Sequence, residues 1–227
     1  MTPLTVADLT ADYDRPIARL IDVYFRENEA ARTALALANR AGTRLVIDHI
    51  TIRCHRVDER AGEFVALGYR YRDELIEYPD QGWWAKVYRK EGSPPIFIDQ
   101  AYEDDRGRDS LLRPWVDRFG DRVLHHIAVR VPDIEAAKAE MERAGVQFSG
   151  DIVGPRGTRL RQIFTAAEVR DGEAFSVLEL AQRNGYDGFV PEQADGLMQS
   201  SKVKKTSSWA VGEVGRVTHA HRRRRGA

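Results

Sequence analysis

Three side chains in this sequence, His49, His126 and Glu179, could hold a metal ion between them. Two histidines and one carboxylate form the donor mix that suits non-haem Fe(II) and leaves coordination positions open for substrate and oxygen. The histidines come as a pair because their surroundings repeat. Asp48-His49-Ile50-Thr51-Ile52-Arg53 and His125-His126-Ile127-Ala128-Val129-Arg130 share one pattern, and the second histidine of the set follows the first by 77 positions. Leu67-Gly68-Tyr69 and Ala144-Gly145-Val146 recur at the same offset. Two landmarks at one offset mark an internal repeat. Glu179 stands inside the apolar run Phe175-Ser176-Val177-Leu178-Glu179-Leu180, where an ionised side chain is costly to bury unless it is paired or bound to metal. On pattern alone the plainer readings stay open: a strand histidine is more often a hydrogen-bonded core or edge residue, and Glu179 could face solvent.

The elements that must position these groups follow from periodicity. In the first half Leu45 to Arg53 alternates as a strand and Asp58 to Leu67 carries apolar residues at helical spacing. Strands follow at Tyr69 to Ile76, Trp83 to Tyr88 and Ile96 to Gln100. The second half runs Val123 to Val131, a helix over Ile134 to Ala144, then Val146 to Ile152, Leu160 to Thr165 and Phe175 to Ala181. The fold class expected is therefore α+β, with two paired βαβββ modules. Asp133 should cap the second helix and Gly145 should end it in a left-handed conformation. Period-2 alternation sets His49, Thr51 and Arg53 on one strand face and His126, Ala128 and Arg130 on the equivalent face of the other, so that pairing about a pseudo-two-fold would turn both histidines into one cleft.

These segments resemble the vicinal oxygen chelate superfamily, glyoxalase-like proteins in which paired βαβββ modules form a metal cleft. Within it, Gln162-Ile163-Phe164-Thr165, Glu179-Leu180-Ala181-Gln182-Arg183, Gly185 and Gly188-Phe189 are similar to 4-hydroxyphenylpyruvate dioxygenase, where the metal glutamate heads a Glu-aliphatic-aliphatic-Gln-Arg run. The first module resembles the 2-oxoadipate dioxygenase/decarboxylase family, also called hydroxyglutarate synthase, on the His49 to Arg53 spacing, Gly68-Tyr69, Asp73-Glu74-Leu75, Tyr78-Pro79-Asp80 and Pro95-Ile96-Phe97-Ile98. The resemblance covers about residues 43–192, and that family is considerably longer than this chain.

The resemblance implies His49, His126 and Glu179 as ligands of Fe(II), with Mn, Ni, Mg or Zn as alternatives. It implies a 2-oxo acid and O2 as reactants, and Arg53 as partner of the substrate's distal carboxylate, a task its planar fork suits. Arg130 occupies the repeat-equivalent place and Gln162 is implied to face the cleft, so both join Arg53 as candidate substrate contacts. The activity expected is a dioxygenase/decarboxylase. The alternatives are a non-redox metalloenzyme of the same superfamily, an isomerase, dehydratase or lyase in which the metal polarises a carbonyl, and a module that only binds a small molecule.

The rest of the chain bounds this reading. Lys plus Arg and Asp plus Glu both number 35, so net charge offers no argument for specific nucleic acid or membrane binding. No stretch approaches the roughly 18 apolar residues of a membrane span, and Met1 to Ala11 lacks an export pattern. One cysteine, Cys54, excludes an internal disulfide and fits a reducing cytoplasm. Residues 1–42 should form a helical segment that packs on the sheet or on a second subunit, as in a homodimer. The paired modules are expected at about 43–105 and 120–183 within residues 43–192. A lid helix near Pro191 to Ser201 and a disordered basic tail should fill 193–227.

Overall fold

The computed structural model describes residues 2–190. Eight strands form one sheet in the order β2-β3-β4-β1-β5-β8-β6, with β7 paired to β8. The first module is β1 (Val46–Cys54), α4 (Val57–Ala66), β2 (Arg70–Tyr78), β3 (Trp83–Arg89) and β4 (Ile96–Ala101). The second is β5 (Leu124–Arg130), α6 (Ile134–Arg143), β6 (Leu160–Phe164), β7 (Glu168–Arg170) and β8 (Glu173–Arg183). Antiparallel pairing of β1 with β5 joins them, while β1–β4 and β5–β8 are parallel. This is the α+β arrangement of two βαβββ units that the repeat predicts.

One element departs from expectation. Val146 to Ile152 keeps only isolated bridges, Phe148 to Thr165 and Val153 to Gln162. Between them the register slips, and the ladder hydrogen bonds resume only at Val153. Gly154 at positive φ (96°) and Pro155, which has no N–H, follow at once, so this edge segment cannot continue as a regular strand.

Helices cover one face of the sheet. After the single-turn α1 (Val6–Leu9), α2 (Arg15–Glu27) carries Ile17, Ile21, Tyr24 and Phe25 at helical spacing, all buried. In α3 (Glu29–Ala41) the Asn28 side chain accepts from Ala31 N at 2.8 Å and Gly42 ends the helix at φ 66°. α6 is capped and ended as the sequence predicts: Asp133 accepts from Ala136 N, and Gly145 has φ 95°. Beneath these helices lie Ile50 and Ile52 of β1, Ile96 and Ile98 of β4, and Ile127 of β5, all at 0% exposure. Each stabilises the fold by roughly 1.5–3 kcal/mol relative to exposure. Tyr24 donates to the Val177 carbonyl at 2.5 Å, and Asn28 Nδ2 donates to Ser176 Oγ at 3.1 Å. The N-terminal helices thus dock on the chain's own β8, the strand that carries Glu179.

The opposite face carries the polar residues and is partly roofed by α5 (Leu112–Phe119). A 3-10 turn at Asp105–Gly107 leads from β4 towards α5 and needs its glycine. A Cβ on Gly107 would sit 1.9 Å from the Tyr102 carbonyl oxygen. Gly107→Ala should therefore destabilise the protein by about 1–3 kcal/mol through overpacking, seen as a lowered Tm. An unchanged Tm would show that the turn yields freely. Among the described residues no helix is long and apolar enough to cross a membrane. The expected lid helix and basic tail lie outside the described residues.

Candidate metal centre and its cavity

The β1–β5 pairing breaks register twice, and both breaks serve the site. Ile47 pairs with Val129 and His49 with Ala128, leaving Asp48 as an extra residue on β1. Thr51 pairs with His126 and Ile52 with Leu124, leaving His125 as an extra residue on β5. Asp48 and His125 are repeat equivalents, so two pseudo-symmetric bulges precede the two histidines. Bulges re-aim side chains, and these leave both His49 and His126 facing one cavity with Glu179.

His49 Nε2 and His126 Nε2 each lie 3.4 Å from Glu179 Oε2 and 3.4 Å from each other. All three side chains are buried. Each is held from behind. Asp48 Oδ1 lies 3.0 Å from His49 Nδ1, Gln162 Nε2 donates to Glu179 Oε1 at 2.5 Å, and His125 Nδ1 lies 3.0 Å from His126 Nδ1. Thr51 Oγ1 shares His126 Nε2 at 2.8 Å. Asp48 is itself clamped: Arg183 donates to it through Nε at 2.6 Å and Nη2 at 2.7 Å, and Arg130 Nε donates at 3.0 Å.

The electrostatics separate the two histidines. Burial opposes charge on His49, but Glu179 and Asp48 outweigh it and raise the group to about 9. Burial, with His49 and Arg53 nearby, holds His126 well below the ordinary imidazole value. The carboxylate field that favours the charged His49 would equally favour a divalent cation between these atoms.

The pseudo-symmetry also shows a vacated ligand position. Ala128 of β5 pairs with Glu179, and its repeat equivalent Thr51 of β1 pairs with Phe97. Phe97 thus stands where a second acidic ligand would complete a symmetric set of four, and its ring packs 4.7 Å from that of His49. The cluster is three-sided.

Arg53 and Gln162 line the same cavity. Arg53 is 7% exposed, and its Nε has no hydrogen-bond partner; Gln162 Oε1 also has none. Arg130 does not come to this cavity. Its side chain is 44% exposed and pairs with Asp48 and Asp187 in a neighbouring basic cleft that also includes Arg89 and Arg183. The two arginines are equivalent by count but not in surroundings: Asp48 and Asp187 draw Arg130 out of the cavity, whereas among the described residues no acid forms an ion pair with Arg53.

Some cavity residues escaped the sequence reading. Asp99 of β4 lines the cavity and is 7% exposed, and burial raises it to about 7 against the pull of Arg53 and His49. An acid within Ile96-Phe97-Ile98-Asp99 is the same signal that singled out Glu179. His125 reaches the cavity only because of its bulge, which leaves no trace in the pattern. Trp115 of α5 lies over Arg53, with the guanidinium 5.3 Å from the ring centroid. Leu112, Trp115 and Val116 are buried at helical spacing, a readable signal for α5. Cys54 points away from the cavity into the core, with burial raising its thiol to about 12.

Comparison with known proteins matches residues 48–164 to the family model described as glyoxalase/bleomycin resistance protein/dioxygenase superfamily. No curated protein sequence matches. A crystal structure of a protein from Shewanella frigidimarina NCIMB 400, provisionally named a hydrolase, is similar with TM-score 0.65 and 18% identity, covering 78% of this chain and 96% of that one. A provisionally named glyoxalase superfamily protein from Ralstonia eutropha JMP134 gives 0.60 and 14%, covering 82% and 87%. A triply substituted 4-hydroxymandelate synthase from Streptomyces coelicolor gives 0.57 and 21%, covering 72% of this chain and 56% of that one. At these identities the likeness is one of fold.

Proposed function

Because the chain belongs to the glyoxalase/bleomycin resistance protein/dioxygenase superfamily, we propose that it is an Fe(II)-dependent dioxygenase/decarboxylase acting on a 2-oxo acid of the 2-oxoadipate or 4-hydroxyphenylpyruvate kind. The observation that carries this reading is the three-sided cluster itself. His49 Nε2, His126 Nε2 and Glu179 Oε2 converge on one point, and Phe97 leaves the fourth side without a protein donor. Two histidines and one carboxylate with open positions are the donor set of non-haem Fe(II) oxygenases.

The residues fit a divalent metal. Asp48 fixes the His49 ring with Nε2 inward, and Gln162 ties down the outer Glu179 oxygen so that Oε2 faces the histidines. Bound Fe(II) would supply oxygen activation and drive decarboxylation of the 2-oxo acid. The chain's own residues do the rest. Arg53 binds the substrate's remote end, and Phe97, Phe164, Trp83 and Leu112 form apolar walls that keep water from the reacting atoms.

The test is oxygen consumption by protein reconstituted anaerobically with Fe(II), across 2-oxoadipate, 4-hydroxyphenylpyruvate and simple aliphatic 2-oxo acids. Uptake that requires both iron and one of these acids is the expected result. Metal retained without uptake for any acid would move the chain to the non-redox members of its superfamily, in which the metal acts only as a Lewis acid.

A further inference from the structure

Arg53 and Asp99 are Cα partners on the parallel strands β1 and β4. Both line the cavity and each is 7% exposed. Among the described residues neither side chain makes a hydrogen bond or an ion pair, with each other or with any neighbour. The guanidinium only stacks on Trp115. Two buried, oppositely charged groups left unpaired are costly. The fold does not impose that cost, because the second module builds the same ladder position with Ala181 opposite Arg130 and takes Arg130 out into ion pairs with Asp48 and Asp187. Arg53 lies four residues beyond His49, about 13 Å along an extended strand, and two beyond Thr51, the register partner of His126, so the pair lies past the ligands on the side of the cavity that β1 and β4 share.

We propose that Arg53 and Asp99 jointly read the remote end of the substrate, and that this end is a neutral group able both to accept from the guanidinium and to donate to the carboxylate, as a terminal carboxamide does. The inference rests on the 2-oxo acid reading and narrows it. A bare carboxylate would satisfy Arg53 but would meet Asp99, one strand spacing away, either as a like charge or only after that carboxyl has taken up a proton. A carboxamide satisfies both, and sites built around such paired donors and acceptors discriminate strongly against ligands that leave one unpaired.

The experiment is anaerobic calorimetry on the full-length Fe(II)-loaded protein with four ligands: 2-oxoadipate, its 6-carboxamide, adipate and adipate monoamide. The wild type should bind each amide at least about tenfold more tightly than the matching dicarboxylate. Asp99→Asn, which keeps the shape, and Asp99→Leu, which removes all polarity, should both reverse that preference, since Arg53 is then an uncompensated cation. A wild-type preference for the dicarboxylates, or an amide-to-acid ratio unmoved by either substitution, overturns the assignment and leaves Asp99 a structural counterion. The keto group separates the two readings. If 2-oxo acids bind better than adipates while the ratio ignores residue 99, the 2-oxo acid reading stands and the pair's role falls. If the ratio responds but the keto group adds nothing, the pair's role stands and the 2-oxo acid reading falls. Binding of none of the four overturns both.

Discussion

Glu179→Ala is expected to strip the protein of its metal, lowering affinity by more than about 100-fold and abolishing turnover, while leaving the fold intact. Substituting a residue that merely orients a ligand typically costs 10–100-fold, and among the described residues Glu179 is the only carboxylate placed with the two histidine nitrogens in the cluster. The fold should survive because Glu179 lies on the cavity face, away from the core between sheet and helices. Its loss also removes one of the two carboxylates that favour charge on His49, while Asp48 still holds that ring. Glu179→Gln is the stricter variant. It keeps shape and volume, yet an uncharged amide beside two histidines is a poor partner for a divalent cation. Elemental analysis of metal per chain, with circular dichroism for the fold, gives the readout. Full metal content in either variant would remove Glu179 from the ligand set.

How far the sequence foretold this site depends on what kind of signal each residue leaves. The repeat is carried by spacing, so β1 with His49, β5 with His126 and the parallel partners β4 and β8 could be placed from pattern alone, and Glu179 stood out as a charge in an apolar strand. Asp99 left the same signal in β4 and could have been found by the same reasoning. The bulges at Asp48 and His125 could not. A bulge adds a residue on one strand without changing its composition, and only the paired register reveals it. That single uncertainty explains why His125, assigned by alternation to the far face, lines the cavity. Arg130, equivalent to Arg53 by count, leaves the cavity because Asp48 and Asp187 hold it in ion pairs. The weak edge segment after α6 shows a different limit: Val146 to Ile152 is apolar enough for a strand, but Gly154 and Pro155 end regular pairing there.

Asp48 supports the largest stability prediction. Its carboxylate, 1% exposed at the side chain, accepts from His49, Arg130 and, through two bonds, Arg183, whose own side chain is 8% exposed. Asp48→Asn would leave Arg183 buried without its anion. Arg130, at 44% exposure, can turn to solvent and Asp187. Breaking one side of a buried ion pair costs about 3–5 kcal/mol, which for a protein of this size is a fall in Tm of about 10 °C. His49 would also lose the partner that holds its ring, so metal affinity should drop about 10–100-fold even in the folded fraction. Acid titration isolates the charge. Burial alone would raise the Asp48 carboxyl, but His49 and Arg183 overcome it and hold the group well below the ordinary carboxylate range. A folded-state value below the unfolded one gives stability that is complete above about pH 4 and is lost as pH falls further. Chemical denaturation between pH 7 and pH 3 should therefore show a steeper acid loss in the wild type than in Asp48→Asn. Parallel acid limbs would mean that Arg183 and His49 gain nothing from the charge on Asp48, and the clamp would then be packing alone.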